Sequence, residues 1–400
     1  MSAEQEKPPL RTGEFVTLMA LMSSLIALSI DAMLPALPEI ATDLGVQQGN
    51  RVTLIVTALF LGLAFGQALY GPLSDSFGRK PAIYLGFALF AAGTLLAITA
   101  TDFDVMLLGR VLQGIGAAGP RIISIALVRD MYEGRAMARI MSLIMSVFIL
   151  VPVLAPALGQ AILLVAHWRM IFGLLFALAF IGAVWVGVRQ PETLPPSKRQ
   201  PFKLRRIGHA VLEVCTNRIS FGYSLAAGCI FGAFIGYLSS AQPILQVQYG
   251  LGTLFPAYFA LLAFSIGLAS LVNSKLVMKY GMQRLSSWAL WAVSILSVAF
   301  FAVAYAFDGH PPLWALMANM VVSFFCIGML FGNFNALAME PLGHIAGIGA
   351  AVVGSLMTFI SLSLGTLIGQ NYDGTVLPMV GGFAVYGIAS LLITRWVQRV

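Results

Sequence analysis

Charge is what this sequence has least of. Only 10% of its 400 residues are Asp, Glu, Lys or Arg, where soluble domains carry about 25%. So few charges cannot cover a water-facing surface, and a disordered chain, which needs high charge and little apolar content, is excluded as well. Cysteine is scarce too. Cys215, Cys229 and Cys326 have no metal-ligand spacing and cannot build a disulfide framework. The four histidines, His167, His209, His310 and His344, form no His-x-x-x-His pair. Neither a Gly-x-Ser-x-Gly elbow nor a Walker glycine loop is present, which argues against an integral-membrane enzyme and an ATP-driven pump. No metal or cofactor is expected. No polar stretch is long enough for a soluble output domain, so a receptor or sensor is disfavoured.

What the sequence does have is apolar length. Hydrophobic residues make up 59%, and they fall in windows of roughly 20 residues, enough to cross a bilayer as a helix. Such windows lie near 14–36, 52–74, 81–101, 105–128, 138–165 and 168–188. After a polar stretch they resume near 219–241, 254–278, 286–307, 312–336, 345–370 and 375–395. They lack the alternation of lipid-facing strands, so the expected class is an all-α membrane protein of twelve spans in two sets of six. The first window does not read as a cleaved signal: Asp31 and two prolines follow its apolar run instead of a small-residue cleavage site.

Net charge is +7, and its placement matters more than its size. Of the 23 Lys and Arg residues, nineteen fall on one side of the spans. Only Arg51 and Arg169 fall on the other, and Arg110 and Arg121 lie inside a span. Positively charged loops stay in the cytoplasm, so both termini are expected there. The basic excess is read as membrane topology, not as a nucleic-acid surface. The expected division is an N-terminal six-helix bundle over 1–189, a basic, proline-rich linker over 190–218, and a C-terminal six-helix bundle over 219–400. Gly78 and Gly281 sit in matching loops of the two halves, a weak internal echo of the kind transporters carry.

The loop after the second span reads Gly71-Pro72-Leu73-Ser74-Asp75-Ser76-Phe77-Gly78-Arg79-Lys80-Pro81. Gly78 permits a left-handed turn and Pro81 suits the first turn of a new helix. Arg79 needs an anion, and Asp130 ends the fourth span on the same side. A plain basic turn that sets topology is the simpler reading. With this string, however, the chain resembles the major facilitator superfamily, whose signature at this loop is Gly-x-Leu-x-Asp-x-x-Gly-Arg-Arg/Lys. The resemblance implies that Asp75 and Arg79, with Asp130 as partner, hold a gate between the halves. It also implies the major facilitator fold.

Three further strings extend the resemblance. Arg110-x-x-Gln113-Gly114-x-Gly116 in span four is similar to a motif of proton-coupled members. Pro152, Pro156 and Gly159 in span five resemble the Gly-Pro-x-x-Gly helix-kink motif of drug antiporters, although Ala155 replaces its first glycine. Ser29-x-Asp31-x-x-Leu34-Pro35-x-Leu37-Pro38 resembles the Bcr/CflA subfamily of drug/proton antiporters. The likeness is strongest through residue 206.

Asp31 and Arg110 lie at similar depth, roughly 8–9 Å below the outer edge at 1.5 Å per residue, which makes an ion pair possible, and the resemblance implies that spans one and four stand side by side. The pair is either a structural salt bridge or a proton site, since a lone intramembrane acid is by default a functional one. Arg121 lies eleven residues after Arg110, nearly on the same face. Arg110, Gln113, Gly114, Ala117 and Arg121 should therefore line one stripe toward a cavity. Arg121 departs from the subfamily pattern, where a small residue is usual. It either meets a substrate anion or snorkels to Asp130 or a lipid phosphate. In the second half Phe234, Tyr237, Gln242 and Asn335 are candidate contacts, with helix–helix packing as the competing role. Gly62/Gly66 and Gly365/Gly369 mark small-residue faces suited to close packing, and the resemblance implies that the two spans carrying them lie at the seam between halves.

The resemblance implies an efflux carrier of the bacterial inner membrane that exchanges protons for small amphipathic compounds, antibiotics among them. A proton-coupled carrier of an anionic or zwitterionic metabolite is the alternative. The expected partners are a small-molecule substrate, protons and lipid, and the fold needs no second chain.

Overall fold

The computed structural model describes residues 11–46 and 49–399. Among them the chain forms fourteen α-helices and no strand. The first half contains α1 (Thr12–Asp31), α2 (Leu37–Asp43), α3 (Leu54–Phe77), α4 (Arg79–Thr99), α5 (Phe103–Met131), α6 (Gly134–Leu163) and α7 (Arg169–Arg189). After α8 (Leu204–Thr216) come α9 (Arg218–Ala241), α10 (Phe255–Tyr280), α11 (Met282–Ala306), α12 (Leu313–Met339), α13 (Ala346–Gln370) and α14 (Leu377–Gln398). All but α2 and α8 are 20 to 30 residues long, about 30–45 Å and enough to span a hydrocarbon core. Large apolar side chains such as Phe180, Ile181, Leu271 and Trp314 face outward, a surface that suits lipid and not water.

One expected span is corrected. The first does not run unbroken over 14–36. Pro35 and Pro38 cannot donate backbone hydrogen bonds, so α1 stops at Asp31, a 3₁₀ turn covers Leu34–Ala36, and α2 continues to Asp43. Elsewhere α12 and α13 join through a single 3₁₀ stretch, Glu340–Ile345. The echo between halves is conformational. Gly78 (φ 105°, ψ 163°) and Gly281 (φ 80°, ψ 157°) hold the same left-handed turn before α4 and α11, a geometry that carries little penalty only in glycine.

Glycine also sets the packing within each half. A Cβ at Gly62 or Gly114 would overlap backbone of α5 or α3, and one at Gly93 or Gly116 would overlap backbone between α4 and α5. Gly365 packs on Ile235 and Gly236 of α9, and Gly369 on Ser239. Gly62 and Gly66 of α3 and Gly365 of α13 therefore pack inside their own halves, while Gly369 also lies near Thr53 across the seam, where α3 and α13 meet as expected. The seam joins α3 to α13 and α6 to α10 through other faces. Ser355 donates to the Ala64 carbonyl at 2.7 Å, Gly354 abuts Gln67, Gly71 faces Ala351, and Gly267 meets Ile149.

Candidate functional site

A cavity of about 350 Å³ lies between the two halves. Its floor is apolar and aromatic: Phe60 on α3, Phe231 on α9, Phe331 on α12 and Met357 on α13. Gln67, Thr358, Ser361 and Asn335 add uncharged polar groups, and Arg121 and Arg129 add charge from α5. The lining extends to Asp75 and Arg79 at the basic end of the helices.

The opposite end is closed by hydrogen bonds across the seam. Asn50 donates to the carbonyls of Gln370 (2.9 Å) and Tyr372 (2.7 Å). Gln370 returns a bond to the Asn50 carbonyl at 2.9 Å and another to Thr53 at 3.1 Å. Thr57 and Thr366 hydroxyls meet at 3.3 Å. The turn at Leu34–Ala36 contacts the π-helical stretch Gln242–Gln248.

At the basic end Arg79 sits at the N-terminus of α4, nearly buried, where its guanidinium is fully engaged. It bonds Asp75 at 2.6 Å, Asp130 at 2.8 Å and the Ser74 hydroxyl at 2.8 Å. Asp75 also lies beside Gly347 in the first turn of α13, across the seam. Glu192 completes the cluster. Its carboxylate accepts from the backbone N–H groups of Arg79 (2.9 Å) and Lys80 (3.0 Å), satisfying α4's free donors and its positive dipole end. Thr193 donates to Asp130 at 2.9 Å, and the Gln200 N–H bonds the Asp75 carbonyl at 3.0 Å. Reading the motif alone misses Glu192. The available signal is an acid within an otherwise basic linker whose cations face the same side.

The expected Asp31–Arg110 pair is absent. Arg110 is fully buried and donates to the carbonyls of Ser29 (2.8 Å) and Ile55 (3.2 Å) and to Gln113 Oε1, with its guanidinium over Phe172. Equal depth brought Arg110 to α1, but it meets the main-chain carbonyl of Ser29 there and not the Asp31 side chain. Asp31 is 5% exposed and has no ion pair among the described residues. It does not line the cavity.

The stripe on α5 is also corrected. Gln113 is buried, holding Arg110 and donating to Thr94 at 2.9 Å. Gly114 presses on α3. The upper part of α5 is wedged between α3 and α4, so the cavity starts only at Ala118 and takes in Arg121, Ile125 and Arg129. Gln113 is thus no substrate contact in this conformation. Arg121 does reach the cavity, with Phe148 of α6 beneath its guanidinium. It does not snorkel to Asp130, which Arg79 and Thr193 occupy.

In the second half only Asn335 of the four candidates lines the cavity. Phe234 packs on Phe231 and Phe324, and Tyr237 on Phe259 and Phe324. Gln242 is buried beyond the cavity, at the start of the π-helical stretch. Pro152 and Pro156 lie within α6, which continues unbroken through both. A Cβ at Gly159 would overlap the Ala32 carbonyl, so that glycine allows α6 to touch the end of α1. The wall contributed by α13, with Gly354, Met357 and Thr358, went unread because its residues look like any small-residue helix face.

The chain matches the family model described as Major Facilitator Superfamily over residues 19–366. It is 31% identical over 385 residues to an uncharacterized MFS-type transporter, YdgK, of Bacillus subtilis (strain 168), covering 93% of this chain and 94% of that one. It is 29% identical over 382 residues to a bicyclomycin resistance protein homolog of Haemophilus influenzae, covering 94% of each. The crystal structure of the human organic anion transporter MFSD10 (TETRAN) superposes with a TM-score of 0.72 over 98% of this chain and 100% of that one. At 19% identity, that likeness is one of fold.

Proposed function

From the premise that this chain belongs to the major facilitator superfamily, and so is a membrane transporter, we propose that it exports small amphipathic compounds in exchange for protons. The basic end faces the cytoplasm of a bacterial inner membrane. The observation that carries this reading is the cavity between the two helical halves, closed at one end by bonds across the seam. Rocking of the halves would open that end and close the other. Resemblance to the Bcr/CflA subfamily, with a bicyclomycin resistance relative, supports antibiotics or similar compounds as cargo. The aromatic floor suits apolar bodies of varied shape.

Asp31 carries the proton in this account. An ionised carboxylate without a partner is costly in a dry interior. It can be hydrated when the sealed end opens, and uptake of a proton there lets that end close around a neutral acid. Asp31 then gives up its proton to water on the basic side, cargo enters from that side, and the carboxylate left without a partner favours reopening outward. Arg110 acts differently from a counterion: it holds the backbones of α1, α3 and α5 in register around the site. Asp75, Arg79, Asp130 and Glu192 serve as the gate at the basic end. The carrier works as a monomer and needs no cofactor beyond the proton gradient.

The test is transport in proteoliposomes under an imposed pH gradient. Cargo should move opposite to the proton. Cargo that follows the proton would overturn export and support the metabolite-carrier alternative.

A further inference from the structure

We propose that the cargo site selects amphipathic anions, with Arg121 as the anchor for a carboxylate or phenolate and the aromatic floor holding the apolar body. This rests on the cavity being the cargo site of the transport reading.

The argument begins with an imbalance. Three arginines line the cavity, Arg79, Arg121 and Arg129, against one carboxylate, Asp75. Arg79 is matched by Asp75 and by Asp130 behind it. Arg121 and Arg129 have no ion pair among the described residues. Nor does the Arg121 guanidinium donate a hydrogen bond among them. Its contact with Phe148, 5.8 Å from guanidinium carbon to ring centroid, is a cation–π contact that uses none of its N–H groups.

An unmatched cation that is partly buried in a membrane helix is expensive to keep. The protein offers Arg121 no relief of its own. Asp130 lies nine residues on, about 13 Å along the helix, and is already occupied by Arg79 and Thr193. Lipid phosphate is ruled out by position, because Arg121 points into the space between the halves and not outward. The remaining partner is something that enters the cavity, and a planar guanidinium favours planar, bidentate anions.

The surroundings define the rest of the ligand. Phe231 and Phe331 meet at a tilt of 41° with centroids 4.4 Å apart, and with Phe60 and Met357 they form an apolar wall. Asn335 lines the same space with no side-chain hydrogen bond to another described residue. A volume of about 350 Å³ takes a compound of one or two rings. Arg129 stands two turns nearer the basic end, so an anion entering from that side meets positive charge first at the mouth and then at depth.

Three probes of the same shape and different charge test this: naphthoate, naphthamide and naphthylmethylammonium. Their binding to the purified full-length protein in lipid nanodiscs would be measured by competition and by thermal shift. Naphthoate should bind at least about tenfold tighter than the other two, the scale of a charge-assisted bond. R121Q should erase that preference by weakening naphthoate far more than naphthamide, and R121K should restore part of it. R129Q, further from the ligand, should slow naphthoate association at low salt with little effect on its release. Equal binding of the three probes by the wild type, or an anion preference that survives R121Q, overturns the proposal. The transport reading fails separately, through absence of pH-driven flux in proteoliposomes, whatever the charge preference in nanodiscs.

Discussion

Arg110 donates to the carbonyl oxygen of Ser29 at 2.8 Å, two residues short of the acid with which it shares its depth in the membrane. The same guanidinium reaches Ile55 and Gln113. It therefore ties three helices together at a fully buried point. R110A would remove charge-assisted bonds to two carbonyls and an amide. With each such bond contributing about 1.5–3 kcal/mol, the loss should exceed about 3 kcal/mol, read as a lower unfolding midpoint in detergent. R110K should recover part of it. Wild-type stability in R110A would mean that these bonds do not hold the bundle.

Asp31 is expected to behave in the opposite way. D31N keeps the shape and removes the charge, so stability should hold or rise. Flux driven by a pH gradient should drop below one tenth, because no group is left to exchange its proton. Exchange of labelled for unlabelled cargo at equal pH should persist. Gradient-driven flux at the wild-type rate would remove Asp31 from the coupling step.

The closed end should be lockable. Thr57 and Thr366 hydroxyls lie 3.3 Å apart across the seam, close enough for the paired cysteine variant T57C/T366C to oxidise to a disulfide. In a background lacking Cys215, Cys229 and Cys326, oxidation should stop transport and reduction should restore it. A cysteine at Asn335, in the cavity wall, should stay reactive toward a water-soluble thiol reagent throughout. Unimpaired transport by the crosslinked protein would show that this end need not open.

Glu192 binds the linker to the gate. E192Q removes the negative charge from the α4 N-terminus, where such a charge contributes about 0.3–1 kcal/mol. The expected signs are faster proteolysis within 190–203 and slower transport with unchanged cargo affinity. G78A should be more severe. It places a Cβ at a φ of 105°, with the Glu192 carboxylate 2.8 Å away. If E192Q matches wild type in both assays, the capping contact is incidental to gating.

Much of this was open to reading from the chain alone. Twelve spans, their order and the depth of each charge follow from hydropathy and residue count, because the bilayer imposes a one-dimensional scale on every helix. The loop from Gly71 to Lys80 announced its own partner, since Arg79 inside a membrane edge must find an acid and Asp130 was the one at its level. Depth, however, says nothing about azimuth. Whether Arg110 meets Asp31 or the Ser29 carbonyl, and whether Gln113 faces cargo or Thr94, depends on how α5 is rotated. That rotation is set by Gly93, Gly114 and Gly116 fitting the backbones of α3 and α4. The capping of α4 by Glu192 and the cavity wall built by α13 depend likewise on segments far apart in sequence. Only the packed chain brings them within bonding distance, where short-range contacts choose among faces that apolarity alone leaves equivalent.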